Sequence, residues 1–180
     1  GVEGDIYKAR WHFMRALAAY DQASLKRLFT SLQELDTAVK LSADDKDIQH
    51  FRRRAEADFL NFIGSDYTRL LNSAPPTALL PFFQYAQILR PEEHFFQELL
   101  GVTYLRLEQW TEAARFLQEA ATRKPDDVAY LSNLAYAYDQ LGKYADALEV
   151  LQQAYHLKPE EQFLRQAIEE MERKLEASSR

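Results

Sequence analysis

The sequence predicts an all-α protein, a right-handed superhelical stack of antiparallel helical hairpins with eight or nine helices. Three observations predict it. Five glycines and six prolines punctuate 180 residues otherwise rich in Ala, Leu, Glu, Gln and Arg, a helix-forming composition. Apolar residues recur at i, i+3, i+4 and i+7, the period of a helix with one buried face. Pro91, Pro125 and Pro159 stand 34 residues apart, twice over, which marks an internal repeat.

From the N-terminus, Asp5 to Leu41 reads as a degenerate repeat-like hairpin. Leu17 to Gln22 echoes Leu134 to Gln140, and Ala38 to Asp45 echoes Ala120 to Asp127. Next, Ile48, Phe51, Ala55, Phe59, Phe62, Ile63, Tyr67, Leu70 and Leu71 keep a helical period over a long stretch, with Gly64 as a candidate break. Pro75-Pro76 makes a turn, Thr77 is the expected N-cap, and Leu79, Phe83 and Ala86 line the helix that follows. Pro81 is expected in its first turn, where proline is tolerated.

The text before each spaced proline is similar. An alanine lies five residues earlier (Ala86, Ala120, Ala154), a basic residue precedes the proline, and an acidic one follows (Glu92, Asp126, Glu160). A cationic last turn, a proline stop and an acidic new start each complement the helix dipole. Beyond Pro159, Phe163, Leu164, Ala167, Ile168, Met171 and Leu175 form one stripe backed by charge, as a terminal cap requires. The tail from Ala177 to Arg180 is expected to fray.

Two units repeat in full. The first has Leu100-Gly101, Tyr104, Trp110, Ala113, Leu117, Ala120 and Pro125. The second has Leu134-Ala135, Tyr138, Leu141-Gly142, Tyr144, Ala147, Leu151, Ala154 and Pro159. This pattern resembles the tetratricopeptide repeat, with Gln97 and Leu131 standing where that family usually places Trp. The domain division expected is a degenerate repeat-like region at 1–91, repeats at 92–125 and 126–159, and a capping helix at 160–176. Together these form one continuous solenoid.

Catalytic and metal chemistry lack support. His12, His50, His94 and His156 are scattered, and Asp47-x-x-His50 has no second motif to complete a metal site. No phosphate-cradling glycine motif or nucleophile elbow is present. The absence of cysteine removes disulfides, thiolate metal sites and thiol catalysis. No enzyme, cofactor or metal is therefore expected. A net charge of -6 argues against nucleic acid, and the run Arg52-Arg53-Arg54, flanked by carboxylates, reads as a solvated helix face. No apolar stretch approaches the ~18 residues of a membrane span, and no signal peptide opens the chain. A soluble cytoplasmic or periplasmic setting is expected, and Gly1-Val2-Glu3-Gly4 leaves room for an excised domain of an anchored protein. Oligomeric state is not readable.

The resemblance implies a protein or peptide partner. In this family the first helix of each hairpin lines a concave groove. Carried over, that surface is Phe95, Glu98, Val102, Leu105 and Arg106, then Ala129, Ser132, Asn133, Tyr136 and Asp139. An apolar centre (Phe95, Val102, Leu105, Tyr136) with a polar edge suits an amphipathic helix or extended peptide. Tyr104, Tyr138, Trp110 and Tyr144 fall at core offsets. Family members that clamp a chaperone's C-terminal carboxylate use Lys, Arg and Asn at these inner positions. Asn133 fits but Glu98, Val102, Phe163 and Gln166 do not, so no clamp is expected. The function implied is a binding scaffold or adaptor, with a bacterial envelope, secretion or polysaccharide-export assembly as its setting. Two alternatives are a secretion chaperone that sequesters an apolar segment and a regulatory helper domain of a larger enzyme.

Overall fold

A computed structural model describes residues 2–178, so the last two positions of the expected frayed tail lie outside the described residues. Among the described residues there are nine α-helices and no strand: α1 Val2–Ala19, α2 Leu25–Leu41, α3 Lys46–Ser73, α4 Pro76–Leu89, α5 His94–Arg106, α6 Trp110–Arg123, α7 Val128–Gln140, α8 Tyr144–Leu157 and α9 Gln162–Ser178. The chain divides into two compact units, Gly1–Ser73 and Ala74–Arg180.

In the first unit α1 packs on α2 and α2 on α3. Leu28, Leu32, Leu35, Ala38, Ile48, Ala55, Phe59 and Ile63 form its core, all inaccessible to solvent. The echo of the later repeats extends to the backbone. Ser42 N–H closes α2 on the Ala38 carbonyl, as Lys124 N–H closes α6 on Ala120. Asp45 then caps α3 by accepting from Asp47 and Ile48 N–H at 3.1 and 3.3 Å. Asp127 does the same for α7, from Ala129 and Tyr130 at 3.0 and 3.4 Å.

Three local expectations change. Helix α3 runs unbroken through Gly64, whose surroundings are open; one exposed glycine costs about 1 kcal/mol in a helix, too little to end one this long. The N-cap of α4 is Pro75, with Pro76 at N1, so Thr77 lies inside the helix. Proline suits N1 because its missing N–H would be unpaired there in any case. Pro81 consequently sits beyond the first turn, in the helix interior, on an exposed face. The arginine run is also not uniformly solvated. Arg52 is half-buried and bonds Asp36 at 2.8 Å and Glu56 at 2.5 Å. Burial opposes its charge, but these two carboxylates outweigh that and raise its pKa. Arg54 lies over the Tyr20 ring at 5.8 Å.

The second unit stacks α4 through α9, each helix on the next, with an added contact between α5 and α7. The alanines and leucines at repeat offsets are its core: Ala86, Ala113, Leu117, Ala120, Ala147 and Ala154 are fully inaccessible. Three of these alanines perform one backbone task. Arg90, Lys124 and Lys158 N–H close α4, α6 and α8 on the carbonyls of Ala86, Ala120 and Ala154. The turns within the hairpins match as well. Gln109 N–H bonds Tyr104 O at 3.0 Å and Lys143 N–H bonds Tyr138 O at 2.9 Å. Each closure needs a left-handed residue one position earlier, Glu108 (φ 56°) and Gly142 (φ 70°). Tyr104 is buried and stacks on Phe116 at 5.4 Å. Tyr138, Trp110 and Tyr144 are only half-buried, Tyr138 donating to Gln118 Oε1 at 2.9 Å.

Candidate functional site

The inner-face positions of α5 and α7 follow the same 3-4-3 spacing, so each set lies along one stripe of its helix. On α5, Phe95, Glu98, Val102 and Leu105 are half-buried and Arg106 is exposed. Phe95 leans on Phe96, ring centroids 5.5 Å apart. Glu98 belongs to a polar cluster. The buried Tyr130 hydroxyl bonds both it and His94 Nδ1, the latter at 3.0 Å. Burial raises the Glu98 pKa, Asp127 adds to the rise, and Tyr130 and Lys124 oppose it.

On α7 the stripe is more open. Ala129 and Tyr136 are exposed, while Ser132, Asn133 and Asp139 are half-buried. Ser132, Tyr136 and Asp139 come together as one wall of a cleft of about 180 Å³. Ala135 and Leu151 lie in the cleft, and Phe163, Ala167, Glu170 and Met171 of α9 form the opposite wall. Ala129, Asn133 and the α5 residues do not line this cleft.

Two features make the cleft a binding surface. Tyr136 and Phe163 are each 49% exposed, though core burial is the usual fate of such side chains. Tyr136 is held edge-on by Trp110, ring centroids 6.0 Å apart. The second feature is polar. Ser132 Oγ is buried with no hydrogen-bond partner among the described residues, so it is free to bond an incoming group. At the end of the cleft Lys174 Nζ bonds Asp139 at 2.6 Å and Glu170 at 3.0 Å. The Asp139 hydrogen bond is the main reason the Lys174 pKa is raised, and Lys174 in turn lowers that of Glu170.

The contribution of α9 was missed from the sequence, where Phe163 was assigned to the buried stripe of a cap. Only Leu164 and Met171 of that stripe are buried. The available signal was register: α9 starts 34 residues after α7 and so presents a first-helix inner face of its own. Among the described residues no cluster of three or more His, Cys, Asp or Glu could hold a metal, and no helix is long and apolar enough to cross a membrane.

Comparison with known proteins agrees with this architecture. Residues 98–161 match the family model of the tetratricopeptide repeat. Similar solved structures include the P58(IPK) TPR domain, 21% identical over 95% of this chain with a TM-score of 0.60; the chain spans 47% of that structure. MamA from Desulfovibrio magneticus RS-1 is 20% identical, with 94% of this chain and 86% of that one covered and a TM-score of 0.56. A further MamA crystal structure is 11% identical, covering 93% and 82%, with a TM-score of 0.58. No curated protein matches the sequence significantly. The C-terminal half of this chain, two repeats followed by a capping helix, belongs to the tetratricopeptide repeat family.

Proposed function

We propose that this protein is a non-enzymatic scaffold or adaptor that captures a helix or peptide of a protein partner on the inner face of its second unit. The observation that carries the reading is the pair Tyr136 and Phe163, half-exposed on opposite walls of one cleft. Aromatic anchors in small desolvated pockets supply most of the energy of such interfaces. The α5 stripe (Phe95, Glu98, Val102, Leu105, Arg106) and Ala129 and Asn133 extend the same surface. Partner charge follows from composition. Residues 74–180 hold seventeen Asp and Glu against eleven Lys and Arg, so the whole net charge of -6 resides in this unit. An apolar anchor flanked by a basic side chain fits the cleft, because a cation can take over the carboxylates that Lys174 now bridges.

A bacterial envelope, secretion or polysaccharide-export assembly is the setting we favour, on the residue usage of the chain. The test is affinity capture with the parent protein and with Tyr136→Glu plus Phe163→Glu. Both side chains are exposed, so helicity and melting should hold while the captured partner is lost. Equal capture by both proteins would refute the assignment.

A further inference from the structure

The first helix carries a second, independent surface. Gly4, Tyr7, Trp11, Met14 and Ala18 are all exposed, and they follow the 3-4-3-4 spacing of a coiled-coil seam. Tyr7 is 78% exposed, Met14 64% and Trp11 55%, with Ile6 and Leu17 beside them at 47% and 40%. The opposite side of the helix is settled: Ala9 and Ala16 are buried, and His12 Nδ1 meets Glu34 at 2.6 Å. Trp11 is fixed in place, since Arg15 covers its ring at 4.6 Å while bonding Glu34 at 2.9 Å. By contrast α9 turns exposed Glu169, Glu172, Arg173 and Glu176 outward, the polar face that ends a helical stack. Helix α1 ends nothing in this sense, because its outward face is apolar.

The borders of the seam are basic. Lys8 and Arg15 run along one side and Arg10 along the other, where Glu3 is the sole acid. We infer that α1 docks an amphipathic helix of a different protein, one that carries Asp or Glu on both sides of its apolar stripe. Charge rules out the simplest alternative. Antiparallel pairing of two copies through this seam would oppose Lys8 to Arg15 of the second copy, and like charges so placed are destabilising. Size points the same way. The exposed apolar side chains offer on the order of 600 Å², enough for one docked helix but short of the roughly 800 Å² per partner of a standard dimer. Eleven residues of each sign in Gly1–Ser73 leave that unit with no net attraction to an anionic bilayer.

The test uses a three-heptad synthetic helix with Leu at its a and d positions and Glu at e and g, and a twin with Lys at e and g. Fluorescence anisotropy of the labelled peptides against the full chain should show the acidic one binding about tenfold tighter, with affinity falling as salt rises. Trp11→Ser plus Met14→Ser should abolish binding with helicity unchanged, and Lys8→Glu should narrow the difference between the peptides. If the double variant loses helicity, Tyr7→Ser supplies the same comparison. No binding, equal binding, or tighter binding of the basic twin overturns the inference. So does a dimer in light scattering that Trp11→Ser plus Met14→Ser dissolves, or binding to phosphatidylglycerol vesicles lost in that variant. The helix surface and the Tyr136–Phe163 cleft are tested by separate variants, so either can fail alone.

Discussion

Gly101 is where the two helices of the first full repeat come closest, and Gly101→Ala measures how tightly that hairpin is packed. A Cβ there would lie 2.5 Å from Leu117 Cγ, 2.7 Å from its Cδ2 and 3.3 Å from its backbone nitrogen. Leu117 is fully buried, so it has no solvent-side rotamer to adopt. Forcing a methyl into such a contact costs about 1–3 kcal/mol. The exchange of glycine for alanine in a helix returns about 1 kcal/mol. The net expectation is a loss of roughly 1–2 kcal/mol, read as a lower urea midpoint at unchanged slope. Amide exchange should accelerate first in α5 and α6, because contacts in a stack are mostly to neighbours. The second repeat provides the control. It already holds Ala135 against Leu151 at the same two positions, both at the edge of the cleft. Ala135→Gly should therefore cost about 1 kcal/mol through propensity alone. A Gly101→Ala protein as stable as its parent would show that Leu117 yields freely, and would refute the close-packing argument.

Three further expectations concern single side chains. Glu108 occupies the left-handed position that Gly142 fills one repeat later, so Glu108→Gly should raise stability by about 0.5–1 kcal/mol in thermal melts. Ala147 is fully buried between helices, and Ala147→Glu should cost about 4 kcal/mol or more, seen as loss of cooperative unfolding by circular dichroism. Glu98 has a raised pKa in the folded protein, chiefly through burial. The folded state then holds the proton more tightly than the unfolded chain, so stability falls as pH rises from the ordinary glutamate value through the raised one. Glu98→Gln should flatten that segment of the stability–pH curve; an unchanged curve would remove Glu98 as its cause.

Much of the second unit was legible because its signals are local. Proline after a basic last turn, Leu-Gly at the closest approach and alanine at the helix crossings each encode geometry within a few residues. The first unit hid the same geometry behind different residues. Ser42 takes the place of Pro125, so the register signal is gone although the cap on Ala38 is identical in kind. The groove was legible on α7, where Ser132, Tyr136 and Asp139 meet as their spacing implied. Its other wall was not. Phe163 shares a helical period with buried Leu164 and Met171, and periodicity alone does not say which flank of a stripe is covered. Deciding that requires knowing that α8 packs under one side of α9 and that the other side faces α7 across open space. Glu98 shows the converse: its residue type suggests a groove edge, while Tyr130 and burial draw it into the packing.

The most direct test of the central claim is site-specific photo-crosslinking in the native host, with a photoreactive phenylalanine analogue at Tyr136, at Phe163 and at the outward-facing Glu172. The cleft reading predicts one common protein adduct from Tyr136 and Phe163 and none from Glu172. Adducts from Glu172 with none from the cleft pair would contradict it.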